Sequence, residues 1–232
     1  NLVPKKYNLL ILNIDSPRGK NLLLMINYFK ILISTFAVLK IIFKRKIKLV
    51  FTTGGYISAP SILAAKLLNI PVLIHESNLV PGLVTKLFGR YCDFVLTGFE
   101  ATNSYLKGCN TIFTGTPLRK EFYLFNEIPS WVPEGDGPLI LVMGGSQGAR
   151  GINEAIYNLF DFFIDNNFRL IHIHGNFETF KFKNKKNKNY LPLEFTNQIA
   201  ALMQNCDLVI SRSGSGSINE IIMTQKPSIL IP

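Results

Sequence analysis

The chain has 232 residues, 47% of them hydrophobic, which excludes global disorder and allows one large domain or two smaller ones. Lysine and arginine number 25 against 15 aspartates and glutamates, and the formal charge of +10 favours an anionic partner: a phosphorylated substrate or an anionic membrane face. No nucleic-acid-binding motif and no basic stripe interleaved with aromatics is present, so no nucleic acid is expected. Three widely spaced cysteines, Cys92, Cys109 and Cys206, match neither a zinc pattern nor a disulfide framework and fit a reducing compartment.

Strand and helix patterns alternate along the chain. Residues 7–14 are an apolar run of strand length, and residues 22–46 read as a long apolar helix that becomes basic at its end. A strand at 48–53 runs into Gly54-Gly55, followed by a helix at 60–68, a strand at 72–75 and a helix at 81–91 with proline at its start. Residues 94–97, 101–107 and 111–114 complete this half. Short buried strands alternating with helices predict a parallel sheet covered on both faces.

Residues 119–137 change character, with Pro129, Pro133, Gly135 and Gly137 among mixed charges, and read as a linker. The alternation then restarts: strand 139–143, helix 152–165, strand 169–174, helix 197–205, strand 208–211, helix 217–224 and strand 228–231. The lysine-rich run at 181–188 reads as a solvated loop. This organisation predicts a first domain over 1–118, a linker over 119–137 and a second domain over 138–232. The chain starts at Asn1 and stops in Ile229-Leu230-Ile231-Pro232, and both ends are expected to be cuts through a longer protein.

Two glycine-rich turns carry the chemistry. Gly144-Gly145-Ser146-Gln147-Gly148-Ala149 follows one apolar strand, and Ser213-Gly214-Ser215-Gly216-Ser217 follows another and runs into Ile218-Asn219-Glu220. Glycine lets backbone N–H groups approach a phosphate, and a helix N-terminus adds a favourable dipole. Neither turn is a Walker loop or a G-x-G-x-x-G fingerprint. Glu220, one turn into its helix, suits a ribose diol. Two such turns in one half predict a nucleoside diphosphate held between them, at the carboxyl ends of the strands.

His75-Glu76-Ser77-Asn78 ends a buried strand and reads either as a site-lining loop or as a capped turn. Arg119 is either a charge-assisted donor to a diphosphate or a surface arginine. His172 and His174 share one face of a strand and read as satisfied structural residues, with no third metal ligand near in sequence. In the helix at 22–46, Lys30 and Lys40 interrupt the span of about 20 apolar residues that crossing a bilayer requires. The stretch fits a helix lying on an anionic membrane surface, a helix half-buried in the core, or both on different faces.

Gly54-Gly55-Tyr56-Ile57-Ser58-Ala59-Pro60, Ile74-His75-Glu76-Ser77-Asn78, the turn at 144–149 with Asn153, the segment 212–220 and Pro227-Ser228-Ile229-Leu230-Ile231-Pro232 together resemble the MurG family of bacterial UDP-N-acetylglucosamine:lipid I N-acetylglucosaminyltransferases, in that family's order along the chain. The resemblance implies an α/β GT-B fold: two Rossmann-like, doubly wound parallel-sheet domains facing a cleft, both incomplete here. It implies a donor site built from Asn78, Arg119, Ser146, Thr196, Ser215, Gly216, Ser217, Ile218, Asn219 and Glu220, with Glu220 on the ribose and Thr196 at the uracil. It implies UDP-GlcNAc and lipid I as substrates, inversion at the anomeric centre, no cofactor and no metal. It also implies a peripheral position on the cytoplasmic face of the bacterial plasma membrane, reached through residues 22–46.

Ser77, Thr85 and Gly216 depart from the family's usual glutamine, asparagine and larger apolar residue. The family's first glycine-rich loop, with the histidine usually proposed as base, is expected upstream of Asn1. His75 is therefore a catalytic candidate by its chemistry alone. A related glycolipid transferase and a non-catalytic sugar-nucleotide-binding module are the alternative readings.

Overall fold

A computed structural model describes residues 7–11, 22–145, 148–175 and 187–232, with side chains in the first helix described from Phe29 onward. The chain divides into two compact units, Asn1–Thr116 and Pro117–Pro232.

The first unit opens on helix α1, Leu22–Arg45, which packs on α2, Ala59–Leu67. Ser34, Thr35, Val38 and Ile42 form the buried stripe of α1, at the spacing of one helical face. Lys46 adopts a left-handed conformation, and Ile47 N–H returns to Ile42 O at 3.0 Å, so the helix ends in a C-terminal turn with Lys44 and Arg45 at its negative dipole end. Four parallel strands follow, in order β1-β2-β3-β4: β1 is Val50–Thr52, β2 Val72–Glu76, β3 Phe94–Thr97 and β4 Thr111–Phe113. Between β2 and β3 lies α3, Leu83–Phe88, continued by a 3-10 turn at Gly89–Tyr91. The core joins α1 and α2 to the sheet through Ile62, Ala64, Ala65, Val72, Ile74 and Val95.

The second unit is a five-stranded parallel sheet in the order β7-β6-β5-β8-β9. Its strands are β5, Leu139–Met143; β6, Arg169–Ile173; β7, Tyr190–Leu193; β8, Leu208–Arg212; and β9, Ser228–Ile231. Helices α4, Arg150–Asn158, and α5, Phe160–Asp165, cover one face, where Ile152, Ile156, Phe160 and Phe163 pack on Ile140, Val142 and Leu170. Helix α6, Ile199–Asn205, and α7, Ser215–Thr224, cover the other, where Leu202, Met203 and Ile221 pack on Leu139, Leu141 and Val209. Phe122 and Val132 enter this second core, so residues 117–137 pack with the second unit.

Two expectations need correction, and one strand was not expected. Residues 7–11 form no strand: Tyr7, Leu10 and Ile11 are exposed, and among the described residues β1 pairs with β2 alone. Residues 12–14 of that run lie outside the described residues, as do 181–186 of the lysine-rich run. The helix expected over 152–165 is bent at Leu159 into α4 and α5, while one buried stripe continues through the bend. Strand β7 was hidden by Pro192 and its polar neighbours; it is an edge strand, where the missing proline N–H costs no ladder bond.

Candidate functional site

The second sheet has a topological switch point. From β5 the chain winds outward through β6 to β7, then returns to β8 on the other side of β5. The crevice beyond the carboxyl ends of β5 and β8 is where open α/β sheets bind ligands, and both glycine-rich turns emerge there.

The first turn is glycine-rich because side chains do not fit. A Cβ on Gly144 would collide with Ala149 N, and one on Gly148, at φ +76°, would collide with the His174 carbonyl. Below the turn, Asn153 Nδ2 donates to His174 O at 3.0 Å, and Asn153 Oδ1 accepts from His172 Nε2–H at 3.0 Å. Tyr190 O–H completes the chain by donating to His172 Nδ1 at 3.1 Å. Burial, with His174 adding to it, pushes the His172 pKa down to about 3, and burial pushes the Tyr190 phenol up. The two histidines are thus structural, and no cluster of metal-ligating side chains occurs among the described residues. Ser146 and Gln147 lie outside the described residues.

The second turn starts when Ser213 N–H pairs with Ile231 O at 3.0 Å, and α7 begins immediately after Gly214. Gly214 is the N-cap, a position with no side chain of its own to cap the helix. The helix dipole places its positive end at this turn.

A cavity of about 310 Å³ opens between these features. Arg119, Thr196, Gly216, Ser217 and Glu220 give its polar lining; Met143, Gly145, Ile173, Phe195 and Ile199 give the rest. Arg119 Nη2 donates to Glu220 Oε1 at 2.8 Å, with side-chain exposures of 51% and 16%. A neighbouring cavity of about 470 Å³ shares Phe195 and Thr196 and adds Trp131 and Gln198, whose side chains are hydrogen-bonded at 2.9 Å. Of the expected donor residues, five meet at the first cavity. Ser215, Ile218 and Asn219 share α7 with Gly216, Ser217 and Glu220 but do not line the cavity. The apolar wall escaped sequence reading, because strand-end residues such as Met143 and Ile173 look like any other core residue.

Asn78 and His75 belong to the first unit. Their loop is organised by Glu76, whose side chain is buried. Its Oε1 accepts from Asn78 N at 3.0 Å and Asn78 Nδ2 at 2.9 Å, and its Oε2 from Gly82 N at 2.9 Å and Thr85 Oγ1 at 2.7 Å. Thr85 thus supplies a donor where the resemblance anticipates an asparagine. Asn78 O accepts from Thr102 Oγ1 at 3.2 Å, and His75 Nε2–H donates to Gly115 O at 3.0 Å.

Two family models match the chain: the glycosyltransferase family 28 N-terminal domain over residues 3–97 and the family's C-terminal domain over residues 139–232. Among curated relatives, the UDP-N-acetylglucosamine--N-acetylmuramyl-(pentapeptide) pyrophosphoryl-undecaprenol N-acetylglucosamine transferase of Prochlorococcus marinus strain MIT 9312 is 61% identical over 100% of this chain. The same enzyme of strain MIT 9515 is 63% identical over 99% of the chain. The chain spans 64% and 63% of the length of these relatives. Among solved structures, Acinetobacter baumannii MurG matches 89% of this chain and 59% of its own, with a TM-score of 0.65 at 27% identity. The calicheamicin glycosyltransferase CalG4 covers 88% of this chain and 61% of its own, at a TM-score of 0.61 and 14% identity, a likeness of fold alone. Matched by both halves of one family in their proper order and folded as its solved members are, the chain belongs to glycosyltransferase family 28 and has the GT-B fold.

Proposed function

We propose that this chain belongs to an inverting transferase that moves N-acetylglucosamine from UDP-GlcNAc to the 4-hydroxyl of MurNAc in undecaprenyl-diphosphate-MurNAc-pentapeptide (lipid I), a step of peptidoglycan synthesis. The observation that carries the donor half is the cavity at the switch point, where a carboxylate, a helix N-terminus and a glycine-rich turn meet. In this reading the α7 N-terminus and the turn at 144–149, including Ser146, take the diphosphate, with Ser215, Gly216 and Ser217 closest to it. Glu220 accepts from the ribose diol, Thr196 lies at the uracil, and Ile218 and Asn219 hold the helix turn in shape. Asn219 Nδ2 donates to Ser215 O at 2.8 Å, within that same turn. The acceptor specificity rests on the relatives' names and on their 61–63% identity to this chain.

Glu220→Ala tests the donor site. Calorimetric titration with UDP-GlcNAc is expected to show binding weakened about tenfold or more, the loss of a charge-assisted hydrogen-bond pair, with GDP-mannose binding poorly to both proteins. Equal affinities of wild type and variant for UDP-GlcNAc remove Glu220 from the site.

The second part of the proposal is a peripheral seat on the anionic cytoplasmic face of the plasma membrane. Opposite its buried stripe, α1 exposes Phe29, Leu32, Ile33, Phe36 and Phe43, with Lys40 and Lys44 exposed beside them. No described helix is long and apolar enough to cross a membrane. An apolar stripe flanked by lysines suits the boundary between acyl chains and anionic headgroups. Replacing Phe36 and Phe43 together by aspartate is expected to lower cosedimentation with phosphatidylglycerol vesicles at least tenfold, since each buried phenylalanine contributes about 2 kcal/mol. UDP-GlcNAc affinity should not change. Undiminished cosedimentation assigns membrane attachment elsewhere.

A further inference from the structure

We infer that Tyr190, His172 and Asn153 are positioning residues of the first glycine-rich turn: a one-way chain of hydrogen bonds through them fixes the carbonyl on which the turn rests, and with it the backbone N–H groups offered to a diphosphate. This rests on the donor reading above and goes beyond it, since none of the three side chains lines the cavity. The turn lies tightly on that carbonyl. Gly148, at φ +76°, is so close to His174 O that an added Cβ would overlap it. Gly148 N–H closes the turn onto Gly145 O at 3.0 Å. In a close-packed interior a shift of His174 O therefore moves Gly148, and Gly148 moves the turn. His174 N–H is held by Leu193 O at 2.9 Å, and Asn153 Nδ2 holds its carbonyl at 3.0 Å. Asn153 N–H also bonds to Ala149 O at 2.9 Å, so one residue holds both the carbonyl and the last residue of the turn.

The chain of bonds has one direction. A carbonyl only accepts, so the Asn153 amide turns its Nδ2 to His174 O and its Oδ1 to His172 Nε2, 3.0 Å away. Oδ1 also only accepts, so Nε2 carries the ring proton. The ring is neutral, with burial holding its pKa at about 3, so Nδ1 is a lone pair and takes the Tyr190 O–H at 3.1 Å. Tyr190 thereby selects the His172 tautomer, and the tautomer selects the Asn153 amide orientation. All three residues are buried, so bulk water does not replace a lost partner. They stand on α4, β6 and β7, and their side chains tie these three elements together beneath the turn.

The test compares UDP with uridine, which lacks the phosphates, by nuclear magnetic resonance titration of the full chain. Wild type, Asn153→Asp, Tyr190→Phe and the double variant are compared, and Trp131 fluorescence checks that each is folded. Asn153→Asp keeps the side chain's size but sets an acceptor against His174 O. It should weaken UDP about tenfold or more, the loss of hydrogen bonds to a charged ligand, and uridine by less than about twofold. Tyr190→Phe removes one hydroxyl, should weaken UDP about threefold with uridine unchanged, and carries the test if Asn153→Asp does not fold. Because Tyr190 acts only through Asn153, the double variant should bind UDP as Asn153→Asp alone does. If the variants weaken UDP and uridine by the same factor, or if the two effects simply multiply, the three residues are general packing and the inference falls while the donor site stands. UDP binding that matches wild type in the folded variants has the same meaning. If wild type binds UDP no tighter than uridine, the turn takes no diphosphate, and the donor reading falls with the inference.

Discussion

Acidification from pH 6.5 to 4.5 is expected to cost the second unit about 2–3 kcal/mol of stability through one side chain, His172. His172 is fully buried, and its folded-state pKa of about 3 lies below the ordinary 6.5. The unfolded chain therefore binds a proton that the folded chain refuses throughout that window. The stabilisation is complete above pH 6.5 and drains away as pH falls toward 3. Its cause is geometric: the neutral ring donates from Nε2 to Asn153 and accepts at Nδ1 from Tyr190, in a site where a cation has no water and His174 as a neighbour. Trp131, the only tryptophan of the chain, belongs to the second unit and reports its unfolding by fluorescence. Urea midpoints measured between pH 7 and 4.5 should fall steeply in wild type and much less in His172→Gln. Parallel pH profiles refute the assignment, and a nuclear magnetic resonance titration of the His172 ring decides independently if the variant does not fold.

Glu76→Ala is expected to destabilise the first unit by about 3 kcal/mol or more. Four donors converge on this carboxylate, two of them backbone N–H groups and all within nine residues of chain. Truncation leaves the buried Thr85 hydroxyl and the partly buried Gly82 N–H without their acceptor, while the exposed Asn78 turns to solvent, and each unsatisfied buried group costs about 1–3 kcal/mol. Glu76→Gln should lose less, because one oxygen still serves Asn78 or Gly82 while the amide nitrogen confronts the other donors. Unfolding followed by circular dichroism reports both units, and Trp131 fluorescence serves as the internal control for the unmutated second unit. A change under about 0.5 kcal/mol in Glu76→Ala would show that the loop holds itself without the carboxylate. The loop's polar residues thus divide their labour: Glu76 builds it, and Asn78 Nδ2 is partly spent on that construction.

Much of the second unit was legible in the sequence because its signals are local. An apolar run of five residues ending in glycines specifies a buried strand and a tight turn with no knowledge of the rest of the chain, and both glycine-rich turns were found that way. The amphipathic pattern of α1 was legible for the same reason, down to its basic end. Strand β7 was not, since Pro192 carries the opposite local signal and becomes acceptable only once the strand is known to lie at a sheet edge. Residues 7–11 erred in the other direction: apolar enough for a strand, they pair with no strand among the described residues, and pairing is not a property of the run itself.

The sequence by itself determined the alternation of strand and helix, the position of each phosphate-suited turn and the presence of Glu220 one turn into a helix. These follow from residue spacing, backbone freedom and charge within a few residues of each other. Only the tertiary structure decided that β5 and β8 are neighbours, which creates the crevice; that Arg119 meets Glu220 across 101 positions of sequence; and that His172, Asn153 and Tyr190 share protons beneath the first turn. Those contacts exist because parallel strands must be joined by long crossovers, so residues distant in the chain meet at one end of the sheet.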